Sequence, residues 1–193
     1  MNKKKLRIAV QKSGRISDQT FEIFKNMGFE IQRSDRSLMA SCNNFPLEIL
    51  FLREKDIPEM VKDGVADLGI CGQNTLIEKG FDLSILERLG FGKCRLSLAI
   101  PKDSAKDFSF QHKRIATSYP RTLRDYLDYR KISAEIIEIA GSVEIAPSLD
   151  LADGICDLVS TGSTLKKNNL IEVEQVFCSE VVLFGKDEFS KDK

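Results

Sequence analysis

Asp157 stands just ahead of a run of small residues, Ser160, Thr161, Gly162, Ser163 and Thr164. Hydroxyls at Ser160, Thr161 and Thr164 can donate hydrogen bonds to phosphate oxygens. Gly162 has no side chain to block the approach of a ligand to the backbone. A carboxylate at Asp157 repels phosphate and suits a ribose hydroxyl or a metal ion instead. Together these residues fit a sugar phosphate, although Ser/Thr/Gly loops also serve as plain turns. The elements that would position them are short. Ile155, Leu158 and Val159 read as a buried strand, and Leu165, Lys166 and Lys167 as the start of a helix. A helix starting there would aim free N–H groups and the positive end of its dipole at the anion.

A second group of chemically capable residues follows the first strand, Leu6 to Val10. Lys12, Gly14 and Arg15 place two cations and a flexible backbone at its carboxyl end, the edge at which open α/β sheets bind ligands. A solvated loop could carry the same residues. Ser17 or Asp18 is expected to cap a helix running through Phe21, Phe24 and Met27 to Gly28. Strands are expected at Leu38 to Ala40 and Leu47 to Leu52, the second followed by Arg53. Asp56 is expected to cap a helix with Pro58 in its first turn. Val65 to Cys71 reads as a strand and Gly72 to Thr75, which includes Asn74, as a loop.

The chain then repeats itself. Gly64 to Gly72 can be laid on Gly154 to Gly162, with Asp67 on Asp157 and Leu68 on Leu158. Each copy follows a helix-like segment containing a proline, Ile57 to Lys62 and Val143 to Leu149. Two copies are too few for a solenoid and point to two related lobes, each offering an anion loop to a shared cleft. Leu96 to Ile100 reads as a strand, and Pro101 with the polar run Lys102 to Lys113 as a lobe boundary. The expected division is residues 1–100 plus 176–193 in a first α/β lobe and 101–175 in a second. In the second, Arg114 to Ala116 is a strand, Thr122 to Arg130 a helix and Ala134 to Ala140 a strand ending at Gly141. Glu172 to Leu183 returns as one or two strands, and the polar tail from Gly185 is expected to fray.

Composition narrows the function. Of 193 residues, 42% are hydrophobic and 30% charged, which suits a globular protein with a substantial core. Lys plus Arg and Asp plus Glu balance at 29 each, so no bulk basic charge points to nucleic acid or a membrane surface. No apolar run approaches bilayer length, and the first apolar segment ends at Gln11, as a strand does and a signal peptide does not. The five cysteines are scattered and form no CxxC pair, so neither zinc nor a disulfide framework is indicated. A cytoplasmic location with reduced thiols is expected. The single histidine, His112, lies in a polar stretch and reads as a surface residue.

Seven segments, taken together, resemble the ATP phosphoribosyltransferase family, whose members catalyse the first step of histidine biosynthesis. They are Gln11 to Arg15, Leu52 to Pro58, Gly64 to Asn74, Cys94 to Ala99, Ala116 to Pro120, Gly141 to Pro147 and Asp153 to Leu170. They span nearly the whole chain, in order and at the family's spacing. The resemblance implies a two-lobed α/β fold of periplasmic-binding-protein type II with a central ligand cleft. It also implies a reaction in which N1 of the adenine of ATP displaces pyrophosphate from C1 of 5-phosphoribosyl 1-pyrophosphate, with Mg²⁺ and inversion at that carbon. The loop Ser160, Thr161, Gly162, Ser163 and Thr164 would anchor the 5-phosphate, and Asp157 and Glu144 would accept the ribose hydroxyls. The departing pyrophosphate and the ATP triphosphate need cations. For that task the candidates are Lys12, Arg15, Arg53 and Arg95, with Arg15 and Arg95 closest to the chemistry and with Gly14 and Asn74 as further residues of the ATP and pyrophosphate site. No covalent nucleophile is required, because positioning and charge stabilisation suffice.

The long form of the family continues into a third domain that binds histidine, and the resemblance covers only the catalytic core ahead of it, so this sequence is expected to be a core without that domain. Its core motifs look more like the long form than like the short form, which pairs with a synthetase-like subunit. A homodimer is expected, with a higher assembly or a separate regulatory subunit as further possibilities. Histidine alone is therefore not expected to inhibit the chain. Two other classes share parts of this pattern. A two-lobed binding module without chemistry shares the fold, and fold does not fix function. A type I phosphoribosyltransferase for a free base shares an acidic Thr-Gly-x-Thr loop, but it needs adjacent acidic residues where this chain has Cys156 and Asp157.

Overall fold

In the computed structural model, which describes residues 5–32, 37–104, 106 and 108–187, the chain opens on strand β1 (Leu6–Gln11). Ile8, Ala9 and Val10 are buried in succession, as expected of a strand covered on both faces. Helix α1 (Arg15–Asn26) follows, then β2 (Ile31–Gln32), β3 (Met39–Cys42), β4 (Leu47–Leu52), helix α2 (Ile57–Lys62) and β5 (Leu68–Gly72). Helix α3 (Gln73–Lys79) and strand β6 (Ser84–Arg88) complete this stretch. The chain then forms β7 (Cys94–Pro101), β8 (Arg114–Thr117), helix α4 (Pro120–Arg130), β9 (Glu135–Glu138), β10 (Gly154–Val159), the one-turn helix α5 (Ser163–Lys167) and β11 (Leu170–Ser179). It ends with β12 (Val181–Gly185).

These strands make two sheets, ordered β2-β3-β4-β1-β5-β12-β6 and β11-β7-β10-β8-β9. Each sheet forms its own compact unit. The first runs to Gly92 and resumes at Glu180, and the second spans Lys93–Ser179. The expected division at residues 100 and 175 therefore shifts, because β7 pairs with β10 and β11 and not with any strand of the first sheet. The apolar run Leu96 to Ile100 would suit the centre of either sheet, and only its pairing decides between them. The tail expected to fray lies, from residue 188 on, outside the described residues.

In the first unit β1 lies between β4 and β5, parallel to both. Phe24 of α1 is buried on one face of this sheet, and Phe21 stacks on Phe51 of β4 with ring centroids 5.7 Å apart. The other face buries Ile57, Val61, Leu76 and Phe184. In the second unit β8 lies between β9 and β10, parallel to both, and β7 runs antiparallel to β10. Leu96, Leu98, Leu123 and Leu127 pack together on one face, and Ile155, Val159, Leu165 and Leu170 belong to the cluster on the other. Arg130 of α4 forms an ion pair with Glu174 of β11.

Two local expectations change. Gly72 to Thr75 is not an open loop, because α3 starts at Gln73 and buries Asn74 and Thr75. Glu54 accepts hydrogen bonds from the Gly72 N–H at 3.2 Å and the Thr75 hydroxyl at 3.1 Å, so polar residues that read as loop are satisfied inside the fold. Val143 to Leu149 forms two 3-10 turns instead of a helix. A proline in the middle of so short a segment removes a donor that an α-helix would use.

Candidate active site

Parallel pairing gathers the predicted residues at one edge of each sheet. In the first unit Gln11 at the end of β1 sits opposite Leu52 at the end of β4, and the Lys12 N–H donates to the Leu52 carbonyl at 2.9 Å. Lys12, Gly14 and Arg15 thus lie at the same sheet edge as Arg53, and all four are exposed. Gly14 caps α1 with φ +97°, in the region that favours glycine. Ser17, a predicted cap, instead lies buried within α1. Arg53 precedes a 3-10 turn, Glu54–Asp56, and its carbonyl accepts from the Asp56 N–H. Asn74 belongs to the same neighbourhood, but it is buried in α3 with its amide 3.4 Å from the Thr75 hydroxyl.

In the second unit the carboxyl ends of β8, β9 and β10 lie side by side. The chain leaves β9 on one flank of β8 and returns as β10 on the other, which makes this edge a topological switch point of the kind that binds ligands. Ser118 donates to the Ile139 carbonyl at 2.6 Å and fastens the first two of these loops together. The third loop is the predicted phosphate site. Gly162 there has φ +76°, and a Cβ added to it would have only Val159 within 4 Å. The surrounding space is open, so the backbone conformation is what requires glycine. Thr161 and Ser163 hydroxyls are 3.1 Å apart, and Ser160, Thr161, Ser163 and Thr164 are exposed. Helix α5 is only five residues long, so its dipole contributes less than the sequence suggested. Loop N–H groups and hydroxyls are then the donors that the loop could offer to an anion.

Asp157 and Glu144 come close enough to interact. Burial pushes the Asp157 carboxyl above its ordinary range, and the Glu144 charge pushes the same way, while the Leu158 N–H, donating at 2.8 Å, opposes them. A half-buried carboxylate beside a second acid is suited to accepting a pair of sugar hydroxyls. Among the described residues no three His, Cys, Asp or Glu side chains gather in a way that could hold a metal ion.

Arg95 stands differently from the other cations. Its Nε donates to Glu172 Oε1 and its Nη2 to Glu172 Oε2, both at 2.5 Å, while Nη1 donates to the Ser160 carbonyl at 3.2 Å. Ser97 adds a hydrogen bond to Glu172 Oε1 at 2.8 Å. The bond from Arg95 holds the Glu172 carboxyl below its ordinary range, against the effect of burial, with Ser97 assisting. Neither Glu172 nor Glu54 stood out in the sequence. Glu172 alternates with Ile171 and Val173 as an ordinary strand residue does, and Glu54 sits in a charged stretch between Arg53 and Lys55.

Residues 53–193 match the family described as ATP phosphoribosyltransferase. An ATP phosphoribosyltransferase of Parabacteroides distasonis is 50% identical over 190 residues, covering 97% of this chain and 67% of its own length. The chain belongs to the ATP phosphoribosyltransferase family. It spans about two thirds of the length of such relatives. The structure of an ATP phosphoribosyl transferase (HisG:HisZ) complex from Thermotoga maritima contains a chain with a TM-score of 0.83 and 30% identity, covering 97% of this chain and 90% of that one. A histidine kinase sensor domain with similarity to periplasmic binding proteins shares the fold alone, with a TM-score of 0.63 and 10% identity over 97% of this chain and 84% of its own. ATP phosphoribosyltransferase membership and this shared fold give the two sheets their class, a two-lobed α/β fold of periplasmic-binding-protein type II.

Proposed function

We propose that the switch-point edge of the second sheet holds the phosphoribosyl group in the ATP phosphoribosyltransferase reaction of histidine biosynthesis. The protein is a pentosyltransferase by family. It joins ATP and 5-phosphoribosyl 1-pyrophosphate into N1-(5-phosphoribosyl)-ATP and releases pyrophosphate. The observation that supports the assignment of residues is the strand register, by which β10 carries Asp157 and the loop from Ser160 to the edge where β8 and β9 also end, with the Glu144 charge felt at Asp157. The loop receives the 5-phosphate, and Asp157 and Glu144 accept the ribose hydroxyls. The adenine N1 lone pair forms the new bond to C1 as the C1–oxygen bond to pyrophosphate breaks, and that bonding pair leaves with the pyrophosphate. Lys12, Arg15 and Arg53, with the open backbone at Gly14, stabilise triphosphate or pyrophosphate charge at the edge of the first sheet. Asn74 supports that edge from inside α3.

The donor set fits Mg²⁺ as an ion carried by substrate phosphates, with Asp157 and Glu144 as the protein carboxylates able to approach it. Mg²⁺ ordinarily keeps several waters and needs only one or two carboxylates besides phosphate oxygens. It would neutralise charge on the departing pyrophosphate. Among the described residues no helix is long and apolar enough to cross a membrane, and the family's biosynthetic role supports a cytoplasmic location. The Thermotoga maritima structure is of a complex, and that likeness supports either self-association as a homodimer or larger assembly, or a separate regulatory subunit.

The test is to incubate the chain with ATP, phosphoribosyl pyrophosphate and Mg²⁺ and to follow the absorbance of phosphoribosyl-ATP. Product formation that Gly162→Asp abolishes, through lost phosphoribosyl pyrophosphate binding, supports the assignment. An unchanged affinity in calorimetry for that variant would remove the loop from the site.

A further inference from the structure

We propose that Glu172 is a positioning residue for the phosphate loop: it fixes the Arg95 guanidinium so that Nη1 holds the Ser160 carbonyl, and with it the first residue of the loop. The proposal rests on the reading of Ser160 to Thr164 as the 5-phosphate site.

The geometry is set by three neighbouring strands. On β7, Arg95 faces Val159 of β10, and Ser97 faces Asp157. On its other side β7 pairs with β11, whose register shifts between Glu172 and Glu174. Residues directly opposite one another on antiparallel strands point to the same face of a sheet. Arg95, Ser97 and Asp157 therefore share one face, and the carboxylate of Glu172 reaches the first two of them on it. A guanidinium is a planar fork with five N–H donors. Two of them engage Glu172 in a bidentate pair, which fixes the plane as well as the position of the group. The remaining edge meets the Ser160 carbonyl at 3.2 Å, immediately after β10 ends at Val159. Ser97, itself buried, holds the carboxylate from the far side. The chain of contacts from Ser97 through Glu172 and Arg95 to Ser160 thus sets where the loop leaves the sheet.

Two roles for Glu172 predict opposite effects of removing its charge. A carboxylate that only neutralised Arg95 would, once removed, release a cation beside the phosphate and tighten binding. A carboxylate that positions Arg95 would leave the guanidinium mobile and the loop entrance loose, and binding would weaken. The structure favours positioning, because Arg95 meets Glu172 through two donors and the loop through a third.

The test is steady-state kinetics on Glu172→Gln, Glu172→Asp, Arg95→Lys and the double variant Arg95→Lys/Glu172→Gln, with Gly162→Asp as the control for the loop itself. Glu172→Gln should raise KM for phosphoribosyl pyrophosphate by about tenfold, the scale of one hydrogen bond to a charged group, with kcat within about threefold of wild type and Tm little changed. Glu172→Asp should recover part of the loss. Arg95→Lys, which cannot bridge both groups, should match Glu172→Gln, and the double variant should be no worse than either single one, because both act through one chain. A purely structural role would lower Tm and the active fraction, and so kcat, and leave KM unmoved. If Gly162→Asp abolishes binding while Glu172→Gln leaves KM unchanged or lowers it, the positioning role is wrong and the loop assignment stands. If Gly162→Asp leaves binding unchanged, the loop assignment fails and the proposal fails with it.

Discussion

Arg114 and Asp153 hold one another by a reciprocal pair of hydrogen bonds. The Arg114 N–H donates to Asp153 Oδ2 at 2.8 Å, and the Asp153 N–H donates to the Arg114 carbonyl at 2.8 Å. In the first unit Arg7 and Asp67 do the same, at 2.8 and 2.9 Å. Ile8 then pairs with Leu68, and Ile115 with Gly154. The two units are therefore built on one plan, with Asp67 equivalent to Asp153. The counterpart of Asp157 is Cys71, a buried thiol, and not an acid. One lobe keeps this strand position apolar, and the other carries an acid there, three residues before the loop that starts at Ser160.

Asp153 should therefore matter to folding and not to catalysis. The Arg114 N–H holds its carboxyl below the ordinary range, with Lys113 and the Arg114 side chain assisting against burial. A depressed folded value means that the stabilisation is present above the ordinary Asp pKa and is lost as pH falls through the folded value. Asp153→Ala should cost about 1–3 kcal/mol, because it strands a backbone donor. Urea unfolding at neutral pH would show the loss, and the gap between variant and wild type should close in acid.

Asp157 should behave in the opposite way. Its folded value is raised, by burial first and by Glu144 second. Its contribution to stability is thus present below the ordinary Asp pKa and is lost as pH rises through the folded value. Asp157→Asn should have a higher Tm than wild type at neutral pH, and the difference should disappear in acid. The same variant should turn over phosphoribosyl pyrophosphate poorly if the carboxylate receives the ribose hydroxyls. A Tm that is lower at neutral pH would contradict the account of Asp157.

These residues also mark how far the sequence could be read. The presence of two related lobes was legible in Gly64 to Gly72 and Gly154 to Gly162, since glycines and apolar residues recur there. The frame was not. Sequence spacing put Asp67 on Asp157, whereas backbone pairing puts it on Asp153, because only the partner strands fix a register. The position of Lys12, Arg15 and the Ser160 loop just past strand ends was legible, because cations, glycine and hydroxyls follow apolar runs there. The pairing of Glu172 was not, because its partner Arg95 is 77 residues away, and its alternation with Ile171 and Val173 suits any half-exposed strand. Gly72 to Thr75 misled for a related reason. Glu54, which accepts from this segment, lies 18 residues before Gly72.

Gly69 is a test of packing remote from these charges. A Cβ added to it would lie 2.4 Å from the Phe184 ring and 2.9 Å from the Ile57 side chain. Both neighbours are fully buried, so neither can swing into solvent. Gly69→Ala should cost roughly 1–3 kcal/mol by overpacking. Calorimetry of the folded variant should show a lower Tm, with KM for phosphoribosyl pyrophosphate little changed, because Gly69 pairs with Ala9 inside the sheet and not with the residues past its edge at Gln11.

Arg15 separates function from stability by sign. It is exposed and is the first residue of α1, a helix of 12 residues. A cation at that end opposes the helix dipole, at a cost of about 0.3–1 kcal/mol, so the residue is poorly chosen for folding alone. Arg15→Ala should leave Tm the same or slightly higher. If Arg15 stabilises triphosphate or pyrophosphate charge, the variant should lose roughly 2–4 kcal/mol of transition-state stabilisation, which is a fall of about 30- to 1000-fold in kcat/KM. Gly14 leaves the backbone open beside it, so a shortened side chain at residue 15 should not disturb the turn. Measuring kcat/KM for ATP and for phosphoribosyl pyrophosphate separately would show which substrate the guanidinium serves. Wild-type kinetics together with a raised Tm would mean that Arg15 carries a cost to the helix and no role in the reaction.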